Sequence, residues 1–382
     1  MNVVIIGCGV VGAAIAYQLS QIKGLNITVF EKNQPAQGST AAALGVLMGV
    51  ISHKTKGKAW QIRQESIKRY QTLIPELEEI TGRKIPCNRQ GIVMLLSEDP
   101  THPLKSGVEA MSDWEELRQV RKSQGWELKV WDREKLGNFC PQVNNPMVIG
   151  AVYSPQDLQL NPTALTLALV DAAQRNGVQF KFGAAVRNHQ APSSQIVQIT
   201  PHVQEQLKSI DTTEGVVTAD WFIITAGLGT TTLTRQLNHQ VTIRPVLGQA
   251  LYLSLGRSLG NPDFQPVITG NDVHLVPMGN GDYWVGATVE FPNGEDDVLP
   301  SKELLELVKQ QAIAFCPELA SAKILRSWSG LRPRPEGRPA PIIEKLASYT
   351  NIILATGHYR NGVLLAPATA SAVQNMILGS TP

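Results

Sequence analysis

Cysteine is scarce in this chain of 382 residues, with four in all, and Cys8, Cys87, Cys140 and Cys316 show no C-x-x-C spacing. That pattern implies neither a disulfide framework nor a zinc site, and it fits a reducing compartment. An excess of either charge is also missing: 34 Lys plus Arg face 32 Asp plus Glu, a net charge of +2. A nucleic-acid binder would carry a clustered basic footprint, so none is expected as a partner. Long apolar runs are absent too. The longest, Val3 to Ala16, is too short for a membrane span, and only Met1 and Asn2 precede it, so the basic n-region of a signal peptide is lacking. No repeat or low-complexity tract is found. A cytoplasmic protein with no metal is expected. What is present is core material: 43% hydrophobic against 17% charged residues excludes a disordered chain. At about 150 residues per domain, the length suggests two or three folding units.

The N-terminus carries the first ordered signal. Val3-Val4-Ile5-Ile6 is an apolar run of the kind found in buried parallel strands, and it leads into Gly7-Cys8-Gly9-Val10-Val11-Gly12. A helix follows from Ala13 to Gln21, then Gly24, a second strand from Asn26 to Phe30, and Glu31 at its end. In a dinucleotide site Gly7 permits the tight turn, Gly9 lets the backbone approach a pyrophosphate, and Gly12 lets helix and strand pack closely. The helix N-terminus would turn its free N–H groups to the phosphates. Glu31 can accept hydrogen bonds from both ribose hydroxyls and would repel a 2′-phosphate, which argues against NADP. A glycine-rich turn is the bland alternative, but strand, helix, strand and acid fall in order. The pattern does not itself separate FAD from NAD. Next come Gly38-Ser39-Thr40-Ala41-Ala42-Ala43-Leu44-Gly45, small and hydroxylated residues suited to lying against a flat group, with surface loop as the alternative.

Further along, Trp60 to Ile80 reads as a helix with Ile67, Tyr70, Leu73, Ile74, Leu77 and Ile80 on one face, and Arg83 to Pro141 as mixed strands and helices. Trp114, Trp126 and Trp131 read as packing. Asn161-Pro162 opens another helix as N-cap and first turn, with Gly177 as its stop. The strands Val178 to Phe182 and Trp221 to Gly227 restore the α/β texture. From Arg244 to Glu290 the texture changes: Leu251 to Leu255, Val273 to Val276 and Tyr283 to Val289 read as strands, the last two joined at Gly279-Asn280-Gly281-Asp282 as a hairpin. Ser301 to Phe315 reads as an amphipathic helix with Leu304, Leu307, Val308, Ala312 and Phe315 inward. A buried strand, Ile352 to Ala355, the loop Thr356 to Gly362 and a helix from Val363 to Leu378 close the chain. One α/β domain is thus assembled from separated segments, with an antiparallel domain inserted and a substrate cleft expected between them.

These motifs together resemble the D-amino-acid oxidase family of FAD-dependent amine oxidases, and within it the bacterial glycine oxidase branch. The residues that carry the resemblance are the Gly7 to Gly12 fingerprint with Glu31-Lys32, Ser39 to Ala42, Ile224 to Gly227, Arg244 to Gln249, Val285 to Thr288, Trp328 to Pro333 and Gly357 to Gly362. The resemblance implies a fold that is α/β (α+β overall). A Rossmann-like FAD-binding domain would be built from the discontinuous segments 1–82, 146–243 and 325–382. An antiparallel-sheet substrate domain would take 83–145 and 244–324. It implies noncovalent FAD, since no cysteine lies where sarcosine oxidases attach their flavin. The cofactor would meet Gly7, Gly9, Val10, Val11 and Gly12, with Glu31 and Lys32 at the ribose and the backbone of Val186 at the adenine. Ser39, Thr40, Leu44, Gly45 and Val46 would follow the pyrophosphate and flavin. Gly227 and the loop of His358, Tyr359, Arg360, Asn361, Gly362, Val363 and Leu364 would wrap the ring.

By the same resemblance Arg332 is the arginine that clamps a substrate carboxylate, its planar fork suiting bidentate pairing. Arg334 and Arg338 read as exposed. Arg360 matches a second arginine reaching the substrate. His274 stands where glycine oxidases have a tyrosine; it can donate the same bond but is shorter and can titrate near neutrality. Val46 replaces a bulkier residue. The implied reaction is oxidation of glycine or another small amino acid at Cα, with dioxygen giving hydrogen peroxide and a link to thiamine synthesis. The alternatives are a D-amino-acid or N-methyl-amino-acid dehydrogenase with another acceptor, an NAD-dependent dehydrogenase, and a non-catalytic dinucleotide-binding regulator. A homo-oligomer is compatible with the sequence, which does not require one.

Overall fold

The protein is described from a computed structural model that covers residues 1–98, 107–188, 205–294 and 297–379. Part of the stretch 83–141, expected to mix strands and helices, therefore lies outside the described residues, at 99–106. A six-stranded sheet runs in the order Ile342–Lys345, Ile352–Thr356, Trp221–Ile224, Asn2–Ile6, Asn26–Glu31 and Gln179–Phe182. Neighbours are parallel except for the outer Ile342–Lys345, which is antiparallel. The central strands are apolar on both faces because both faces are covered. On one side lie the helices Val10–Ser20, Gly57–Thr81, Pro162–Arg175 and Gly362–Leu378. On the other lie a three-stranded sheet, Val186–Asn188 with Ser209–Thr212 and Gly215–Thr218, and the short helix Thr230–Gln236.

Local chemistry explains the helix ends. Asn161 caps Pro162–Arg175 by accepting from the Ala164 N–H at 3.0 Å, and Gly177 follows in the left-handed region at φ 93°. Ser301 caps Lys302–Phe315 through the Leu304 N–H at 3.1 Å. The long helix Gly57–Thr81 buries Ile67, Tyr70, Leu73, Ile74 and Leu77, but Ile80 at its end is exposed. Trp114, Trp126 and Trp131 are buried, as their packing role requires.

The second layer is an eight-stranded sheet in the order Lys323–Pro335, Ile243–Ser254, Asp282–Gly286, Val273–Gly279, Val267–Gly270, Ile92–Ser97, Val148–Ser154 and Lys129–Asp132. It is antiparallel except where Val267–Gly270 runs parallel to Ile92–Ser97. Asn280 and Gly281 join one hairpin with φ values of 55° and 81°, the left-handed pair that a tight two-residue turn needs. Val148–Ser154 and Lys323–Pro335 both lie in this sheet, so the segments drawn from 146 and from 325 begin inside it. We propose that these two strands belong with the substrate-side layer. One face of the sheet is packed by Lys302–Phe315, which turns Val308, Ala312 and Phe315 inward. Leu304 and Leu307, expected inward as well, are 39% and 50% exposed. The buried face runs through Leu305, Val308, Ala312 and Phe315, so Leu304 and Leu307, each one residue before it, point outward and gain little of the roughly 1.5–3 kcal/mol a buried leucine contributes.

Beside the site, the segment 49–54 is held by two buried charged groups. The Asp157 carboxylate accepts from the N–H groups of Gly49, Val50 and Ile51, each at 2.8 Å. Arg121 donates to the carbonyls of Val50, Ser52 and Lys54 at 2.7, 2.7 and 2.8 Å, and to Gln124 Oε1 at 2.8 Å. Its guanidinium also lies 3.7 Å from the ring centroid of Trp60. Backbone groups that water would otherwise satisfy are thereby paired inside the core.

Candidate active site

A cavity of ≈ 800 Å³ runs between the two layers, from Glu31 at one end, past the start of helix Val10–Ser20, to Arg332 and Arg360 at the other. It lies at the carboxyl ends of Asn2–Ile6 and Trp221–Ile224, the middle pair of the parallel sheet, from which connections leave in opposite directions. Ligands of open α/β sheets lie at such a switch point. Gly7 takes φ 108°, and a Cβ there would stand 2.7 Å from the Thr225 carbonyl oxygen. A Cβ on Gly12 would stand 2.1 Å from the Gly7 carbonyl oxygen, so only glycine lets this helix approach its strand. Thr225 locks the turn by donating its hydroxyl to Gly7 O at 2.8 Å.

Glu31 is held for its task by main-chain donors. Its carboxylate accepts from the Cys8 N–H at 2.8 Å and the Asn33 N–H at 3.0 Å. The Thr40 hydroxyl accepts from the Val10 N–H at 3.1 Å, bringing the 39–45 segment to the helix N-terminus. Ser39–Ala42 is one short helical turn, clamped to Lys323–Pro335: Ser39 Oγ donates to Leu331 O at 2.5 Å and Trp328 Nε1 to Ala42 O at 3.1 Å. Gln159 Nε2 donates to Leu44 O at 2.9 Å and fixes the far end. The small side chains of this run thus serve a close approach between layers as well as the cavity.

The opposite wall is one face of the eight-stranded sheet. Thr269, His274, Gly286, Ala250 and Trp328 stand opposite one another across five adjacent strands, so their side chains share a face. Gly248 and Gly330 form the next row on that face. Small residues in the middle leave a flat floor between large ones. Arg332 lies along it: a Cβ on Gly248 would meet the three terminal guanidinium atoms at 2.2–2.4 Å. Arg332 Nη1 donates to Leu247 O at 3.1 Å and Thr288 O at 3.0 Å. An arginine has five N–H donors, and Nε and Nη2 have no partner among the described residues. Burial, with Arg360 nearby, lowers its pKa from the usual arginine range, and it keeps its charge.

Arg360 follows Tyr359, whose φ of 54° is left-handed, and reaches Asp272 Oδ2 at 3.5 Å at the cavity mouth. His274 accepts or donates through Nδ1 to Thr269 Oγ1 at 2.9 Å. Burial, aided by the two arginines and opposed by Asp272, pushes its pKa down to about 4. The titration near neutrality open to an imidazole is thus moved to lower pH, and at pH 7 His274 is neutral. His358 lines the cavity but its imidazole turns away, buried against Thr369 Oγ1 at 2.9 Å, and burial pushes its pKa to about 4.

Of the residues expected at cofactor and substrate, all line the cavity except Gly12, Val186 and Asn361. Gly12 acts behind it, through packing. Val186 stands on a strand packed into the far face of the parallel sheet. Arg334 and Arg338 are exposed, Arg338 paired with Glu344 at 2.6 Å. Thr225, Gly248, Thr269 and Asp272 join the site without a motif of their own. Asn271 and Asp272, at φ 50° and 61°, make a second two-residue hairpin turn whose Asn-Asp pair is the signal that places Thr269 opposite His274. Among the described residues no group of three His, Cys, Asp or Glu could hold a metal.

The donor set suits an elongated anionic dinucleotide: a ribose-seeking carboxylate at one end, a helix N-terminus with no acidic residue in its first turn, and a flat floor beyond. A family model for the FAD-dependent oxidoreductases termed DAO matches residues 2–376. The chain belongs to this family. FAD is accordingly its cofactor. The chain is 26% identical to the glycine oxidase of Bacillus licheniformis over 390 residues, covering 99% of this chain and 93% of that one. It is 30% identical to the bifunctional protein ThiO/ThiG of Synechocystis over 99% of its length, and spans about half (51%) of that relative. Among solved structures it superposes on glycine oxidase from Geobacillus kaustophilus with a TM-score of 0.83 at 24% identity, covering 100% of this chain and 95% of that one, a shared fold. No helix among the described residues is long and apolar enough to cross a membrane.

Proposed function

We propose that this DAO-family oxidoreductase oxidises glycine or another small amino acid at Cα. The observation that carries the reading is Arg332: a guanidinium on the cavity floor, anchored to two carbonyls through one nitrogen, with its remaining donors free to grip a carboxylate. A fixed fork of this kind aligns the substrate before reaction, and such alignment supplies up to roughly 7–11 kcal/mol of a barrier. His274 offers a neutral polar group on the same wall, and Arg360 a second cation at the mouth. FAD, when bound, supplies the two-electron acceptor. The substrate loses two electrons and two protons to become an imine, which water hydrolyses to an oxoacid and ammonia, while dioxygen takes up the electrons and protons as hydrogen peroxide. No strong base is needed once the substrate amine is neutral.

Nearly full-length similarity to glycine oxidase supports this substrate class, and similarity to the ThiO portion of the bifunctional relatives supports a role in thiamine biosynthesis. Four free thiols support a cytoplasmic setting. The test is anaerobic mixing of the yellow protein with glycine, sarcosine and a panel of D-amino acids. Bleaching of the flavin, followed by peroxide on admitting air, is the expected result. Bleaching without peroxide would make the protein a dehydrogenase, and no bleaching with any member would remove the reading.

A further inference from the structure

Two threonine–histidine pairs have their histidines in the cavity lining, and their hydrogen-bond accounts differ. In the first, the Thr369 hydroxyl donates to the Leu365 carbonyl at 2.8 Å, so its oxygen has only lone pairs left for His358 Nε2, 2.9 Å away. His358 must be the donor there. In the second, Thr269 Oγ1 lies 2.9 Å from His274 Nδ1 and has no other partner among the described residues. Thr269 is 5% exposed. If Nδ1 carried the proton, the threonine proton would be buried with no acceptor, an arrangement native proteins avoid. If the hydroxyl donates, both groups are satisfied.

We infer that Thr269 is a positioning residue: its hydroxyl donates to His274 Nδ1 and fixes the tautomer whose Nε2–H is the donor left for a substrate carboxylate in the cavity. The pair is a directly opposed cross-strand pair on the hairpin Val267–Gly270 and Val273–Gly279, so the bond is held by sheet register rather than by a loop. Arg332, Arg360 and Asp272 act on His274 with opposite signs, so the charges around the ring do not by themselves set its tautomer. Removing the hydroxyl leaves Nδ1 free to carry the proton, and the Nε2 donor is no longer fixed. The assignment of the carboxylate rests on the proposed function; the assignment of the tautomer does not.

The test uses the holoprotein labelled with ¹⁵N-histidine, with His274→Asn to assign the signal. Nitrogen shifts at pH 7 are expected to show His274 neutral and protonated on Nε2. A wild-type spectrum with the proton on Nδ1 overturns the inference without any variant being needed. Thr269→Val is expected to move the proton towards Nδ1 and to raise KM for glycine by about 2- to 12-fold, the range of one net hydrogen bond, with kcat changed less than twofold. Thr269→Ser is expected to restore both. Unchanged spectrum and KM in Thr269→Val, or failure of serine to restore them, overturns it. If no amino acid bleaches the wild-type flavin, the substrate reading fails, while the nitrogen shifts still decide the tautomer.

Discussion

Arg121 and Arg332 are both guanidiniums turned to main-chain carbonyls, and what separates them is what remains after those bonds. Arg121 is fully buried and uses four N–H groups, three on carbonyls of the 49–54 segment and one on Gln124. Burial lowers its pKa to about 10, with Asp157 acting against the shift, and its charge stays inside the core. Arg332 is anchored by Nη1 alone and lies beside a cavity. The first is a nearly saturated clasp that holds backbone. The second is anchored but unsaturated, which is the condition for gripping a ligand: rigid placement with donors left over.

The comparison can be broken from either side. Arg121→Met removes the donor of the Val50, Ser52 and Lys54 carbonyls and the cation beside the buried Asp157, and should cost about 3–5 kcal/mol in unfolding free energy, read by denaturant melts. The same variant, where it folds, should keep KM for glycine within twofold; a large KM change with normal stability would make Arg121 a site residue instead. Arg332→Ala should do the reverse, weakening substrate binding by about 10²-fold with flavin content and melting temperature nearly unchanged. Anaerobic titration of flavin bleaching measures it, and unchanged kinetics would remove Arg332 from the site.

Gly248→Ala sharpens the contrast more gently. The added methyl would meet the Arg332 guanidinium at 2.2–2.4 Å and push it off its carbonyls, so KM should rise about tenfold while FAD binding persists. An alanine variant with native KM would show the fork to be less fixed than its anchors imply.

The last effect is on stability against pH. His274 and His358 have pKa values near 4 in the fold, against about 6.5 when unfolded. Between these values the unfolded chain binds more protons than the folded one, so stability rises with pH through that window and is lost as pH falls from about 6.5 towards 4. His358→Gln should flatten part of this slope in melting temperatures taken from pH 4 to 7. A slope unchanged in that variant would remove His358 as its source.

Much of this was legible because nucleotide-binding chemistry is written locally. Strand, glycine turn, helix and Glu31 occupy some thirty consecutive residues, and the contacts that join them to one another are short in sequence. The second layer was legible as texture but not as arrangement. Periodicity showed strands near 251, 273 and 283, yet nothing in it says that Ala250 and Gly286 stand between His274 and Trp328. Leu304 and Leu307 follow a helical spacing that promises burial, but the sheet takes the face of Leu305 and Val308 and leaves them in solvent.

What the amino-acid order determined by itself is therefore the turn at Gly7, the helix behind it, the acid at Glu31 and the alternation of elements, since these depend on backbone freedom and near neighbours. What the tertiary structure alone decided is which arginine keeps free donors, which histidine faces the cavity, and that both are neutral or charged as their burial dictates. Those properties depend on which carbonyls and hydroxyls arrive from strands far apart in sequence, and on how much water the packing of two layers leaves beside them.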